Sequence, residues 1–458
     1  MREDRCQTPI AKLKTISLRP PIDLMYAAGS YRAAGADTRL RDYAAEELTW
    51  DDFERDVLEF QPEELLLSIT TLSLEADVSA AERARAAVPN IRIGAIGAHF
   101  NTLDRDSLVR YHALDFVIRN EYESACFELG EGKPLDEILG LTWREPSGEI
   151  VRNAPRPFED DLDRFAFPAR DLIRNDLYTR PDTGMPQTTI VTNRGCPFHC
   201  IYCLANQVAG TKNRYRSVAQ VIDEIQQCIL QFGIRDFLFR SELFTQNKRW
   251  VTELCEAIIA RRLDIRWACN SRVDTLSPAL LRTMRRAGCW IVAFGVESGD
   301  QATLDRVQKR AKVEDAFAAV RMTRDAGIKT SAYLLVGLPW DTHETLVQQI
   351  TFAKALDPDF LEIFYPYPFP GTPLHTLAIT EGLIADGEIP QHAYSEPAMR
   401  TRHLSIDQLR NFRVHALRRF YLRPRVIART LAQTRSPREM WNYVRAGVHQ
   451  LTASQAES

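Results

Sequence analysis

Between residues 187 and 375, short apolar runs alternate with amphipathic helical stretches. The runs fall at 188–192, 236–239, 266–269, 290–296, 331–336 and 360–365. Between the first two, Val218, Val221, Ile222, Ile225 and Ile229 recur at three- and four-residue spacing, so they share one face of a helix. Ser217 suits the N-cap of that helix and Gly233 its stop. Strands that alternate with helices lie parallel and are joined by right-handed crossovers. Six such units predict a partial (β/α)6 barrel, whose chemistry gathers at the C-terminal ends of its strands.

The 458 residues are enough for two to three domains at roughly 100–200 residues each. Hydrophobic residues make up 45% and charged residues 26%, which excludes disorder throughout. Lys plus Arg is 58 against 61 for Asp plus Glu, a net charge of -3. That balance argues against nucleic acid as a bulk partner. The longest apolar runs fall short of the ~18 residues that span a bilayer, so no transmembrane segment is expected. Met1-Arg2-Glu3-Asp4-Arg5 is charged and nothing apolar follows, unlike a signal peptide. A cytoplasmic protein is expected, with its nine cysteines reduced.

Three of the nine, Cys196, Cys200 and Cys203, sit in the string CPFHCIYC directly after the first barrel strand. Three thiolates on one loop can wrap a single soft metal centre. Structural zinc takes four ligands, often as two separated pairs, and no second pair exists here, although His199 lies inside the loop. A set of three suits a [4Fe-4S] cluster with one iron left open. Cys6, Cys126, Cys228, Cys255, Cys269 and Cys289 are scattered, and are expected to be small buried hydrophobes.

The string NRGCPFHCIYC, with Tyr202 before its last cysteine, resembles the signature of the radical S-adenosylmethionine (radical SAM) superfamily. Later motifs follow in the family's order at successive strand ends. In Arg240-Ser241-Glu242, Glu242 matches the acid that binds the SAM amine, and Ser241 departs from the pattern. Arg272 resembles the partner of the SAM carboxylate, a role suited to a guanidinium fork. Glu297, within Gly295-Val296-Glu297-Ser298-Gly299, resembles the ribose-binding acid. Gly337-Leu338-Pro339, with Glu344 further on, resembles the adenine-side turn, where Trp340 departs from the usual glycine. The resemblance implies that SAM chelates the open iron and is cleaved by electron transfer to a 5'-deoxyadenosyl radical. That radical abstracts hydrogen from an unactivated carbon.

The first 140 residues also alternate, with strand candidates at 39–41, 65–70, 91–96 and 116–119 and helical patterns at 22–34, 50–60 and 76–87. RPPIDLMYAAGSYRAAG, SITTLS, GAIGAHF and RNEYE resemble the cobalamin-binding domain that precedes the barrel in one radical SAM subgroup. The resemblance carries cobalamin contacts over to Ser68, Thr70, Thr71, Gly97 and His99. There is no D-x-H-x-x-G string, so cobalamin is expected to bind base-off with no protein histidine. Such a fold opens with a buried strand. Only residues 14–18 suit one, so the first strand is expected to be missing.

The expected organisation is therefore α/β. A Rossmann-like (flavodoxin-like) cobalamin-binding domain spans 1–140 and an irregular proline-rich linker 141–186. The radical SAM partial barrel spans 187–375 and a helical C-terminal region 376–458. The stretch from Arg410 to Arg429 is strongly basic and reads as a solvated face capping the barrel. Residues 452–458 read as frayed. The subgroup resembled includes anaerobic magnesium-protoporphyrin ester cyclase and C- and P-methyltransferases. The reaction expected is cobalamin-dependent methylation of an unactivated carbon of a small molecule, with electrons from a flavodoxin or ferredoxin. The alternatives are an oxidative cyclase or rearrangement enzyme, and a non-catalytic iron-sulfur scaffold. A methylthiotransferase would need a second cysteine triad, and only Cys6 and Cys126 precede residue 196.

Overall fold

The computed structural model describes residues 18–385, 396–434 and 440–442. Cys6, most of the strand candidate at 14–18 and the frayed 452–458 lie outside the described residues. The chain divides into two compact units. One runs to Tyr178 and takes in Leu204–Tyr215; the other holds Thr179–Cys203 and most of the chain from Arg216 onward.

The first unit runs α1 (Ile22–Ala33), α2 (Trp50–Phe60), β1 (Glu64–Ser68), α3 (Leu74–Ala87), β2 (Arg92–Ile96), α4 (Phe100–Arg110), β3 (Phe116–Ile118), α5 (Glu123–Gly130), β4 (Leu141–Arg144) and β5 (Ile150–Arg152). β1, β2 and β3 are parallel neighbours in chain order. Ile69, Ile93, Phe100 and Val117 pack in their core. Two expectations fail here. Residues 39–41 form no strand: Arg41 ties the run to Glu46 and Asp56 through its side chain. The sheet does not end by residue 140, because β4 extends it antiparallel to β3 and β5 antiparallel to β4. Their turn holds Pro146 and Gly148, closed by Glu145 N donating to Glu149 O at 2.8 Å. Punctuation that reads as irregular linker is a hairpin turn.

The second unit is built on a six-stranded sheet: β6 (Gln187–Val191), β7 (Asp236–Arg240), β8 (Arg266–Ser271), β9 (Cys289–Glu297), β10 (Lys329–Leu335) and β11 (Phe360–Phe364). The order in space is the order in sequence, and every pair is parallel. The crossovers are α6 (Val218–Phe232), α7 (Lys248–Ala260), α8 (Pro278–Arg286), α9 (Gln301–Arg306) with α10 (Val313–Asp325), and α11 (His343–Leu356). α6 has the ends its sequence calls for: Ser217 Oγ accepts from Gln220 N at 3.2 Å, and Gly233 turns left-handed at φ 66°. Cys228, Cys255, Cys269 and Cys289 are buried, as is Cys126 in the first unit.

α12 (Pro373–Thr380), α13 (Ile406–Tyr421) and α14 (Pro424–Gln433) follow the sheet. Part of the basic face is an anchor rather than a solvated surface. Arg423 and Arg429 each reach Asp357 at 3.0 Å, and Arg413 donates to Ile363 O at 2.8 Å. Among the described residues, no helix is long and apolar enough to cross a membrane.

Candidate active site

The cysteine loop leaves the C-terminal end of β6, where the mouth of a parallel barrel lies. Gly195 opens it at φ 96°, and its N–H donates to Glu242 Oε2 at 3.2 Å, tying the loop to the end of β7. Ile201 N donates to Val307 O at 3.2 Å, and Leu374 N donates to Ile201 O at 3.0 Å. Ile201 and Tyr202 pack with Val307, Leu338 and Leu374. Four segments distant in sequence therefore hold the loop. Cys196 is buried, Cys200 half-buried and Cys203 exposed. Burial pushes the Cys196 thiol up to about 11, and the charges of Cys203 and Cys200 add to the effect. Burial also raises Cys200, against the pull of Lys309.

At the end of β8 the buried Arg272 uses four of its five N–H bonds within the protein. Nε and Nη2 fork onto Asp274 at 2.9 and 2.6 Å, and Nη1 and Nη2 donate to the carbonyls of Lys309 and Arg310. The Phe198 ring covers it, 3.8 Å from the guanidinium carbon. The fork expected to face a ligand carboxylate is turned onto Asp274, a partner two residues away that the sequence reading left aside.

β9 ends in a register shift between Gly295 and Glu297, and Glu297 sits at φ 67°, rare for a residue with a side chain. Its buried carboxylate accepts from Lys309 Nζ at 2.7 Å. Burial raises the Tyr202 hydroxyl well above its ordinary value, with the nearby Glu297 carboxylate adding to it. After β10, Gly337 turns at φ 94°. Its N–H and that of Leu338 donate to the buried Asp341, whose carboxyl burial lifts to about 6. Glu344 is exposed in the first turn of α11. Trp340 donates to Thr303 Oγ1 at 3.3 Å, which fastens the turn to α9. Lys309, Asp341 and Asp274 escaped the sequence reading. The signals were a lysine in a short loop and two aspartates beside positions already marked.

Residues 190–353 match the radical SAM superfamily. The chain carries a radical SAM domain. Over 416 residues it is 29% identical to an uncharacterised methyltransferase of Pyrococcus horikoshii, covering 90% of each protein. It is 27% identical over 416 residues to the anaerobic magnesium-protoporphyrin IX monomethyl ester cyclase of Cereibacter sphaeroides, covering 88% of this chain and 67% of that one. In structure it is similar to the radical S-adenosylmethionine methyltransferase TsrM of Kitasatospora setae, solved with cobalamin and a [4Fe-4S] cluster bound. The TM-score is 0.71 at 17% identity, over 96% of this chain and 97% of that one.

The donor set of the radical SAM domain fits a cluster. Cys196 feels the charges of Cys200 and Cys203, and Cys200 that of Cys203, so the three thiols of the loop lie near one another. Among the described residues, no three His, Cys, Asp or Glu side chains converge tightly enough for a single metal ion, so zinc with His199 gains no support. Of the five residues expected at cobalamin, Ser68 and Thr70 line a cavity of about 2290 Å³ beside β1. Thr71, Gly97 and His99 do not. His99 is buried, with Nδ1 at 3.2 Å from Thr71 Oγ1 and Nε2 at 3.1 Å from Ser107 Oγ, and burial lowers it to about 4. Nδ1 joins the loop after β2 to the loop after β1, and Nε2 is held by α4. Gly97, at φ 147°, lets Ile69 O approach so closely that a Cβ would lie 1.8 Å from it. These two residues hold the loops together.

Proposed function

We propose that this chain is a cobalamin-dependent radical SAM enzyme that methylates an unactivated carbon of a small molecule. The observation that carries the reading is the cysteine loop at the mouth of the parallel sheet, laced to the ends of β7 and β9. The similarity over nine-tenths of the chain to a protein named as an uncharacterised methyltransferase supports the choice of reaction.

Cys196, Cys200 and Cys203 would hold a [4Fe-4S] cluster, which supplies the electron that cleaves SAM to a 5'-deoxyadenosyl radical. Glu242 spends Oε2 on the loop, leaving Oε1 for the SAM amine. Glu297, turned by the irregularity in β9, would take the ribose hydroxyls. The backbone turn at Gly337 would lie along the adenine, with Asp341 fixing its two N–H groups. Arg272 braces the neighbouring loop, and offers SAM only its remaining N–H. Ser68 and Thr70 would hydrogen-bond cobalamin, which supplies the methyl group. A cytoplasmic setting keeps the thiols reduced, and a flavodoxin or ferredoxin supplies electrons.

The test is anaerobic reconstitution with iron, sulfide, cobalamin and SAM, followed by product analysis with candidate substrates. Methylation consumes two SAM per turnover and gives S-adenosylhomocysteine and 5'-deoxyadenosine in equal amounts. A productive reaction that gives 5'-deoxyadenosine alone overturns methyl transfer. It would instead favour the oxidative cyclase reading, which the similarity to magnesium-protoporphyrin cyclase supports.

A further inference from the structure

We propose that Lys309 is a positioning residue of this site: its buried ammonium fixes the Glu297 carboxylate and puts a positive charge on the strap that touches Cys200, where it eases reduction of a cluster. The inference rests on the radical SAM reading above.

A lysine is rarely buried unless paired, and Lys309 is buried between two exposed neighbours, Gln308 and Arg310. Its partner is the equally buried Glu297 carboxylate, 2.7 Å from Nζ. Room for the pair comes from Gly295. A Cβ there would stand 2.6 Å from Glu297 Oε1 and 3.0 Å from Lys309 Nζ.

The backbone is bent to place this side chain. Gln308 and Arg310 sit at φ 58° and 53°, the left-handed region that side chains disfavour. Such strain persists only where the surroundings over-determine it. Here Val307 O accepts from Ile201 N, Gln308 O lies 3.8 Å from Cys200 Sγ, and Arg272 holds the carbonyls of Lys309 and Arg310 at 2.8 and 3.0 Å. The strap from Val307 to Arg310 is thus tied to two cysteine-loop residues and to the end of β8. This also gives Arg272 its purpose: it holds the strap that presents Lys309.

A positive charge beside the thiolates stabilises the reduced cluster more than the oxidised one, because reduction adds negative charge. Removing it should drive the reduction potential downward. Losing the hold on Glu297 should weaken SAM binding.

The experiment compares parent, Lys309→Met, Lys309→Gln and Lys309→Arg, each reconstituted with iron and sulfide. Folding is checked by circular dichroism, SAM affinity by equilibrium dialysis, and cluster potential by a redox titration followed by electron paramagnetic resonance. Lys309→Met should bind SAM at least ~10-fold more weakly, the loss expected of one charge-assisted hydrogen bond, and titrate at a more negative potential. Lys309→Arg should restore both. If Lys309→Met fails to fold, Lys309→Gln carries the same two readings. Parent-like affinity and potential in a folded, charge-removed variant overturn the role of Lys309 while leaving the radical SAM reading intact. A parent protein that assembles no cluster overturns both.

Discussion

The Phe198 ring lies face-on to the Arg272 guanidinium, 3.8 Å from its central carbon. The contact joins the cysteine loop to the end of β8, and an aromatic face over a partly desolvated guanidinium is worth about 1–2 kcal/mol. Phe198→Ala should therefore assemble a cluster but release it faster. Iron retained after gel filtration, assayed over time, should fall below that of the parent. Equal retention would show that the ring does nothing for the loop.

The cysteines should separate into two classes. Cys200→Ala should abolish the iron-sulfur absorbance and SAM cleavage at little cost to folding, because Cys200 is only half-buried. Cys289→Ala should keep both and lose about 1 kcal/mol of stability, as expected for a small cavity in the core. Retained SAM cleavage in Cys200→Ala would refute the cluster assignment.

Gly97→Ala should be costly. Its Cβ would collide with Ile69 O, and φ 147° is open to glycine alone. A loss on the order of 3 kcal/mol is expected, seen as a lower denaturant midpoint. A midpoint within error of the parent would mean that the loops after β1 and β2 can separate freely.

Asp77 sets a pH dependence. It is half-buried against Ser73, and its partial desolvation lifts its carboxyl from 3.8 to about 7. The folded state holds this proton more tightly than the unfolded chain. The contribution to stability is full below pH 3.8 and is lost as pH rises through 7, at about 1.4 kcal/mol per pH unit between the two. Asp77→Asn carries no such charge. It should be more stable than the parent at pH 8, with the gap narrowing toward pH 4. A gap that does not change with pH would show that the carboxyl titrates normally.

Local pattern made the barrel legible. The six strands, in order and nearly to the residue, follow from apolar runs of strand length separated by helical periods. In a parallel sheet buried on both faces, each strand announces itself without reference to its neighbours. The hairpin of β4 and β5 was not legible, because strands of three and four residues carry too little pattern and gain their stability from pairing with β3. The failed strand at 39–41 is the converse: a local pattern that no neighbour completes.

The cysteine loop and the acids at the strand ends belong to the sequence, since they lie within a few residues of the strands that carry them. What only the tertiary structure decided is where each charge is spent. Arg272 reads as a ligand's partner, but its fork closes on Asp274 and on carbonyls 37 and 38 residues away. His99 reads as a contact for a cofactor, but is consumed by Thr71 and Ser107. Lys309 reads as one loop lysine among many, and becomes the buried partner of Glu297 only when β9 and the strap after α9 come together. A buried charge is governed by its nearest opposite charge, and those neighbours are chosen by the fold, not by position along the chain.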